Sequence, residues 1–238
     1  MSVFRFKKFS VVNDRSAMKV NTDGVLLGAA MTIVGSPKRL LDIGTGTGTI
    51  ALMAAQRLAD QGSGDFHIDA IDIDGPSASE AASNFATSPW AEHLEALCCS
   101  LACFSVSGKY DMVFSNPPYF EDSLENPEGR KAGSRHTSSL SFRDILVFSE
   151  RFLAPEGRLA LVLPYDRLTP LLREARSRGF HPSRIQKIRT TPAKPFTRLI
   201  VEFSRLRCEM DEEELTIQNK GEYTSEYLSL VRDFYLFA

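Results

Sequence analysis

Leu40-Leu-Asp-Ile-Gly-Thr-Gly-Thr-Gly48 is the stretch on which the fold turns. Its first half extends an apolar run from Arg39 to Ile43 that suits a buried strand. Its second half sets three glycines at alternate positions, ahead of Thr49–Leu58, which has helical periodicity. Glycines between a strand and a helix permit a tight turn and let a ligand approach the backbone. Outward from this turn the alternation continues. Strands are predicted at Phe66–Ile73, Leu94–Ser100, Tyr110–Ser115 and Arg158–Leu163, and helices at Ser77–Ala86, Phe142–Leu153 and Leu168–Arg178. Ser183–Ile188 and Arg198–Arg205 are strand-like with only the proline-rich Thr191–Phe196 between them, so an antiparallel hairpin at one edge is expected. The pattern predicts an α/β, Rossmann-like doubly wound, mostly parallel seven-stranded sheet in a single domain over 1–238.

A chain of 238 residues with 43% apolar content can build one sizeable core. The net charge of −2 hides an uneven distribution. Basic residues dominate 167–207 (Arg173, Arg176, Arg184, Lys187, Arg189, Lys194, Arg198 among them), whereas Glu209-Met-Asp-Glu-Glu-Glu214 is acidic. A basic face for nucleic acid is one reading of this, a solvated surface the other. Cys98, Cys99, Cys103 and Cys208 form no CxxC pair, and no metal-ligand spacing appears, so no metal is expected. Cys98 and Cys99 read as small apolar strand residues. With no signal-peptide pattern and no run of transmembrane length, a cytoplasmic protein without membrane contact is expected.

The spacing G-x-G-x-G at Gly44, Gly46 and Gly48 departs from the dinucleotide fingerprint, which needs glycine where Thr49 stands. It suits S-adenosylmethionine better than a pyrophosphate. Asp42, just before the loop, can face the ligand's ammonium group. A carboxylate at the end of the next strand is expected to accept from both ribose hydroxyls. Asp72 occupies that place, with Asp74 as the alternative. Ser100, after the third strand, would lie beside the adenine.

Asn116-Pro-Pro-Tyr119 ends the apolar run Tyr110–Ser115. An amide, two prolines and an aromatic make a rigid, outward-facing turn that can hold a planar amine against a reactive carbon. The exocyclic amine of adenine is a poor nucleophile because its lone pair is delocalised into the ring. The Asn116 side-chain oxygen and the Pro117 carbonyl can accept its two N–H bonds and localise that pair, while Tyr119 stacks on the base. Methyl transfer then needs mainly positioning. Glu121–Leu140 is long and polar, which suits a loop over a site, and His136 within it is a candidate substrate contact.

The order glycine loop, Asp72, Asn-Pro-Pro-Tyr resembles the class I S-adenosylmethionine-dependent methyltransferases that modify planar amino groups. Phe6-Lys-Lys-Phe9, Asn13-Asp14, Ala17-Met-Lys-Val-Asn-Thr-Asp-Gly-Val-Leu-Leu-Gly-Ala29, Asn116-Pro-Pro-Tyr-Phe120, Glu222-Tyr-Thr-Ser-Glu-Tyr227 and Arg232-Asp-Phe-Tyr235 look like the bacterial tRNA1(Val) adenine-37 N6-methyltransferases. The resemblance implies methylation of adenine N6 beside the anticodon, with tRNA as partner. It also implies that 1–38 is an N-terminal extension in which Lys19, Thr22 and Asp23 border the cofactor, together with Asp42, Gly44, Asp72 and Asn116. Methylation of another RNA base or of a protein glutamine, and a non-catalytic nucleotide-binding or RNA-binding module, are the competing readings.

Overall fold

The computed structural model describes residues 2–118 and 140–238. Strands β1 (Val3–Arg5) and β2 (Ser10–Val12) pair as a hairpin ahead of helix α1 (Thr22–Ala30). There follow β3 (Arg39–Ile43), α2 (Thr49–Asp60), β4 (His67–Asp72), α3 (Gly75–Ala86), β5 (Leu94–Cys98), β6 (Tyr110–Ser115), α4 (Phe142–Phe152) and β7 (Leu153–Pro164). The rest comprises α5 (Leu168–Ser177), β8 (His181–Arg189), β9 (Arg198–Ser204), β10 (Asp211–Thr216), the small hairpin β11 (Gln218–Asn219) and β12 (Glu222–Tyr223), and α6 (Ser225–Val231).

The main sheet has the order β10-β8-β9-β7-β6-β3-β4-β5. All neighbours are parallel except β9, which is antiparallel to both β7 and β8. This is the expected doubly wound sheet with its antiparallel pair, and it carries an eighth strand beyond the seven anticipated. The added strand, β10, lies in the acidic block and forms the edge. Glu213 pairs with Arg184, Glu212 with Lys187 and Glu214 with Arg189, so β8 supplies the counter-charges that let three successive glutamates lie in a strand. No described helix is long and apolar enough to cross a membrane.

Helix starts follow local chemistry. Asp74 caps α3 by accepting from Ser77 N at 2.9 Å, with Pro76 in the first turn, and Ser141 and Asp144 form a capping box on α4. Strand side chains alternate between two apolar layers. Leu40, Ile68, Met112 and Phe114 face α1, α2, α6 and the N-terminal hairpin. Leu41, Ile71, Val113 and Leu161 face α4 and α5. Because β3 is flanked by β4 on one side and β6 on the other, the chain reverses its direction of progress there. A crevice is expected at the carboxyl ends of such strands.

Candidate active site

A cavity of about 1080 Å³ opens at those carboxyl ends and continues along α4 to Arg151 and Phe152. Of the residues singled out from the sequence, Lys19, Gly44, Gly46, Asp72, Ser100 and Asn116 line it together. Five others stand off its wall. Thr22 is exposed, and Asp23 is ion-paired with Arg198. Asp42 is fully buried, while Pro117 is buried beside the wall that Pro118 forms. Gly48 faces Phe85, whose Cε1 would lie 2.5 Å from a Cβ added at 48, so that glycine serves helix packing. Tyr119, His136 and all of the 121–140 loop except Leu140 lie outside the described residues.

The glycine wall is built by backbone. Gly44 and Gly46 have φ of 72° and 57°, a region that favours glycine. Gly44 N and Thr45 N both donate to Ile71 O, at 2.8 and 3.0 Å, which ties the loop to the end of β4. Gly46 N donates to Asp72 Oδ2 at 2.8 Å and Asp74 N to Asp72 Oδ1 at 2.9 Å. Burial pushes the Asp72 carboxyl above its ordinary range, against those two hydrogen bonds. Asp74 also lines the cavity, but its Oδ2 accepts from both Ser77 N and Ser77 Oγ as a helix cap. Behind the loop, Asp42 Oδ2 accepts from Thr45 Oγ1 at 2.7 Å, and Oδ1 has no hydrogen-bond partner among the described residues. Burial drives this carboxyl up to about 7, with the neighbouring Asp72 adding to the effect. Cys98 ends β5 exposed to solvent, rather than as a packed apolar residue, and Cys99 beyond it lines the cavity.

Side chains build the opposite wall. Asn116 follows β6, whose Ser115 Oγ donates to Ile43 O at 2.6 Å and binds the ends of β6 and β3 together. Only 6% of Asn116 is exposed. Its amide nitrogen donates toward Met18 Sδ at 3.7 Å and Asn21 Oδ1 at 3.5 Å. Both partners belong to the segment before α1, and α3 anchors that segment. Glu80, fully buried, accepts from the backbone N–H of Asp14, Arg15 and Ser16. Asn84 bridges Val12 N and O to Thr47 O, and Ser77 Oγ contacts Ser16 Oγ at 3.1 Å. Lys19 Nζ donates to the carbonyls of Asn13 and Asp14 at 2.7 and 2.6 Å, closing the loop on itself. Sequence reasoning missed Met18, Asn21, Glu80 and Asn84. A signal did exist: Ser77, Glu80 and Asn84 fall at i, i+3 and i+7 on the buried stripe of α3, where apolar residues belong.

The expected basic face over 167–207 is largely neutralised. Arg184, Lys187 and Arg189 pair with β10, Arg198 with Asp23, and Arg178 with Glu150 and Glu174. Arg173, Arg176 and Lys194 are exposed and make no ion pair among the described residues. Folding also brings His67, Asp69 and Glu95 together, a grouping that sequence spacing did not show. It lies at the amino end of β4, away from the cavity, and Asp69 already accepts from Tyr110 Oη at 2.5 Å and faces Arg39 at 3.4 Å.

Residues 16–170 match the family described as Methyltransferase small domain. A Bacteroides fragilis protein named tRNA1(Val) (adenine(37)-N6)-methyltransferase is 40% identical over 237 residues, spanning 98% of this chain and 97% of that one. Among solved structures, an Agrobacterium tumefaciens protein described as an O-methyltransferase superposes with a TM-score of 0.68 at 17% identity, over 89% of this chain and 96% of that one. A Listeria monocytogenes protein described as a class I S-adenosylmethionine-dependent methyltransferase gives 0.59 at 16% identity, over 81% and 62%. The last two likenesses concern the fold. Likeness along nearly the whole chain, joined to the domain match, makes this protein a member of the tRNA1(Val) (adenine(37)-N6)-methyltransferase family.

Proposed function

We infer that this protein transfers a methyl group from S-adenosylmethionine to the exocyclic N6 of adenine in tRNA, at adenine 37 of tRNA1(Val). The observation that carries the reading is the shared cavity: the Asn116 amide, the Gly44–Gly46 loop and Asp72 line one wall-to-wall space. The residues fit the cofactor. Asp72 presents a partly buried carboxylate where ribose hydroxyls would lie, and its two backbone hydrogen bonds hold it in place. A Cβ at Gly46 would meet Ser16 Oγ at 3.4 Å and Met18 O at 3.6 Å, ordinary contact distances, so the left-handed backbone (φ 57°) rather than lack of room calls for glycine where the loop meets the N-terminal segment. Ser100 and Leu101 would flank the cofactor's adenine, Lys19 would border its methionine end, and Asp42 would act from behind Thr45. When bound, the cofactor supplies an electrophilic methyl with its own leaving group.

The protein's part is then to hold the target amine in line. The Asn116 Oδ1 and Pro117 carbonyl accept its N–H bonds, Tyr119 stacks on the ring, and the low exposure of Asn116 excludes water from the reacting edge. A base in an anticodon loop is easier to extrude than one in a duplex, because fewer stacking and pairing contacts are lost. Lys194 follows β8 at the same end of the sheet as Asn116, and Arg173 and Arg176 lie on α5. These cations, rather than the β8 residues paired to β10, are the ones available for phosphate. Incubation with labelled methyl donor and unmodified tRNA, followed by nucleoside mass spectrometry, tests the reading. N6-methyladenosine at position 37 of tRNA1(Val) is expected. Label on guanine, on another adenine or on protein would overturn it.

A further inference from the structure

We propose that Met18 and Asn21 are positioning residues that select which edge of the Asn116 amide meets the substrate. The proposal rests on the reading of Asn116 as the acceptor for the target amine. A primary amide is nearly symmetric in shape, so packing alone cannot distinguish its oxygen edge from its nitrogen edge. Only the polarity of its neighbours can.

Those neighbours are determined by a chain of hydrogen bonds. Asn21 caps α1, and the atom facing Gly24 N at 2.9 Å must be an acceptor, hence Oδ1. Its Nδ2 accordingly donates to Lys19 O at 3.0 Å. Because Asn21 Oδ1 is an acceptor, the Asn116 atom 3.5 Å from it must be the donor Nδ2. Met18 Sδ, 3.7 Å from the same nitrogen, is also an acceptor and requires the same assignment. The NH₂ edge of Asn116 is thus directed at the N-terminal segment, and the carbonyl edge is turned away from it. The opposite orientation would set N–H against N–H of the incoming amine and leave its lone pair delocalised. Asp23, two residues beyond Asn21, is ion-paired with Arg198 on β9, which fixes the start of α1 against the sheet.

The decisive experiment uses the full chain and tRNA substrate with four variants. Asn21→Ser retains a helix-capping hydroxyl but is too short to reach Asn116, Met18→Leu removes the sulfur at similar volume, and their combination removes the two acceptors that the N-terminal segment supplies. Asn21→Asp keeps an acceptor at the same place. The double variant is expected to lose about tenfold in kcat, with KM for tRNA, the dissociation constant for S-adenosylmethionine and Tm nearly unchanged. Asn21→Asp, which keeps the acceptor but loses the donor to Lys19 O, is expected to lose less kcat than Asn21→Ser. A double variant with full kcat would overturn the proposal, as would a loss confined to KM or Tm. Asn116→Ala in the same assay separates the two levels of the argument. If Asn116→Ala turns over normally, the underlying reading of the site fails. If it is inactive while the double variant is not, the positioning role alone fails.

Discussion

The two walls of the cavity are made in different ways. The Gly44–Asp72 wall is backbone geometry: consecutive loops at the ends of β3 and β4, joined by hydrogen bonds from Gly44, Thr45 and Gly46. The Met18–Asn21 wall is tied within itself by Asn13, Ser16 and Lys19, but its attachment to the rest of the molecule is distant. It is held from α3, through Glu80 and Asn84, more than sixty positions away in sequence. A local wall should yield to mutation by losing ligand affinity, and a remotely held wall by losing order.

The largest effect on cofactor affinity is expected on the local wall. Asp72→Ala should weaken S-adenosylmethionine binding by about 10- to 100-fold, the value of hydrogen bonds to a charged acceptor, with a drop in Tm smaller than that of Glu80→Ala because two backbone N–H groups rather than three lose their acceptor. Calorimetry with the cofactor measures this. A drop in Tm without loss of affinity would make Asp72 a structural carboxylate. On the remote wall, Glu80→Ala leaves three backbone N–H groups without their acceptor. A loss of about 3 kcal/mol is expected, or about 6–12 °C in Tm, and Glu80→Gln should recover part of it. Hydrogen exchange at residues 14–16 should accelerate. Unchanged protection there would mean that other contacts hold the segment.

Much of the local wall was legible in the sequence. Gly44-Thr-Gly-Thr-Gly48 and the strand ending in Asp72 carry their geometry in adjacent residues. The remote wall was legible only through the resemblance that drew in Lys19, Thr22 and Asp23. Thr22 and Asp23 proved to be off the cavity, whereas Asn21 between Lys19 and them is on it. Neither periodicity nor propensity reveals which residue of a capped loop points inward, since that depends on the partner supplied by Asn116. The strand β10 was hidden for a related reason. Glu212–Glu214 read as a solvated charge run until folding set Arg184, Lys187 and Arg189 beside it.

The same divide between local and remote partners sorts the cations. Lys194→Glu should weaken tRNA binding and flatten the dependence of log K on log salt by about one unit, as the loss of one phosphate contact requires. Arg184→Ala, which removes one ion-pair partner from each of Glu202 and Glu213, should lower Tm and leave that slope alone. Equal salt slopes in Lys194→Glu and wild type would move the RNA-binding surface elsewhere.

A pH-dependent effect concerns Asp42. Its folded carboxyl, pushed to about 7, lies above the unfolded value, so the folded state holds a proton that the unfolded state has released. Stability should therefore fall as pH rises from about 4 to about 7, by at most about 1.4 kcal/mol per pH unit, and level off above. Asp42→Asn should reduce that fall; Asp72, also raised, acts in the same direction and sets the remainder. Denaturant melts at successive pH values distinguish the two proteins. Parallel curves would show that Asp42 does not titrate in this range.

In the proposed division of labour, Asn116 acts on the substrate amine while the other wall holds the cofactor. Its most direct test pairs single-turnover methyl transfer to tRNA with cofactor calorimetry on Asn116→Ala. A loss of about 100- to 1000-fold in the methyl-transfer rate, the scale for removing one preorganised transition-state contact, is expected alongside a cofactor dissociation constant within about twofold of wild type. An unchanged rate, or rate and affinity falling together, would contradict it.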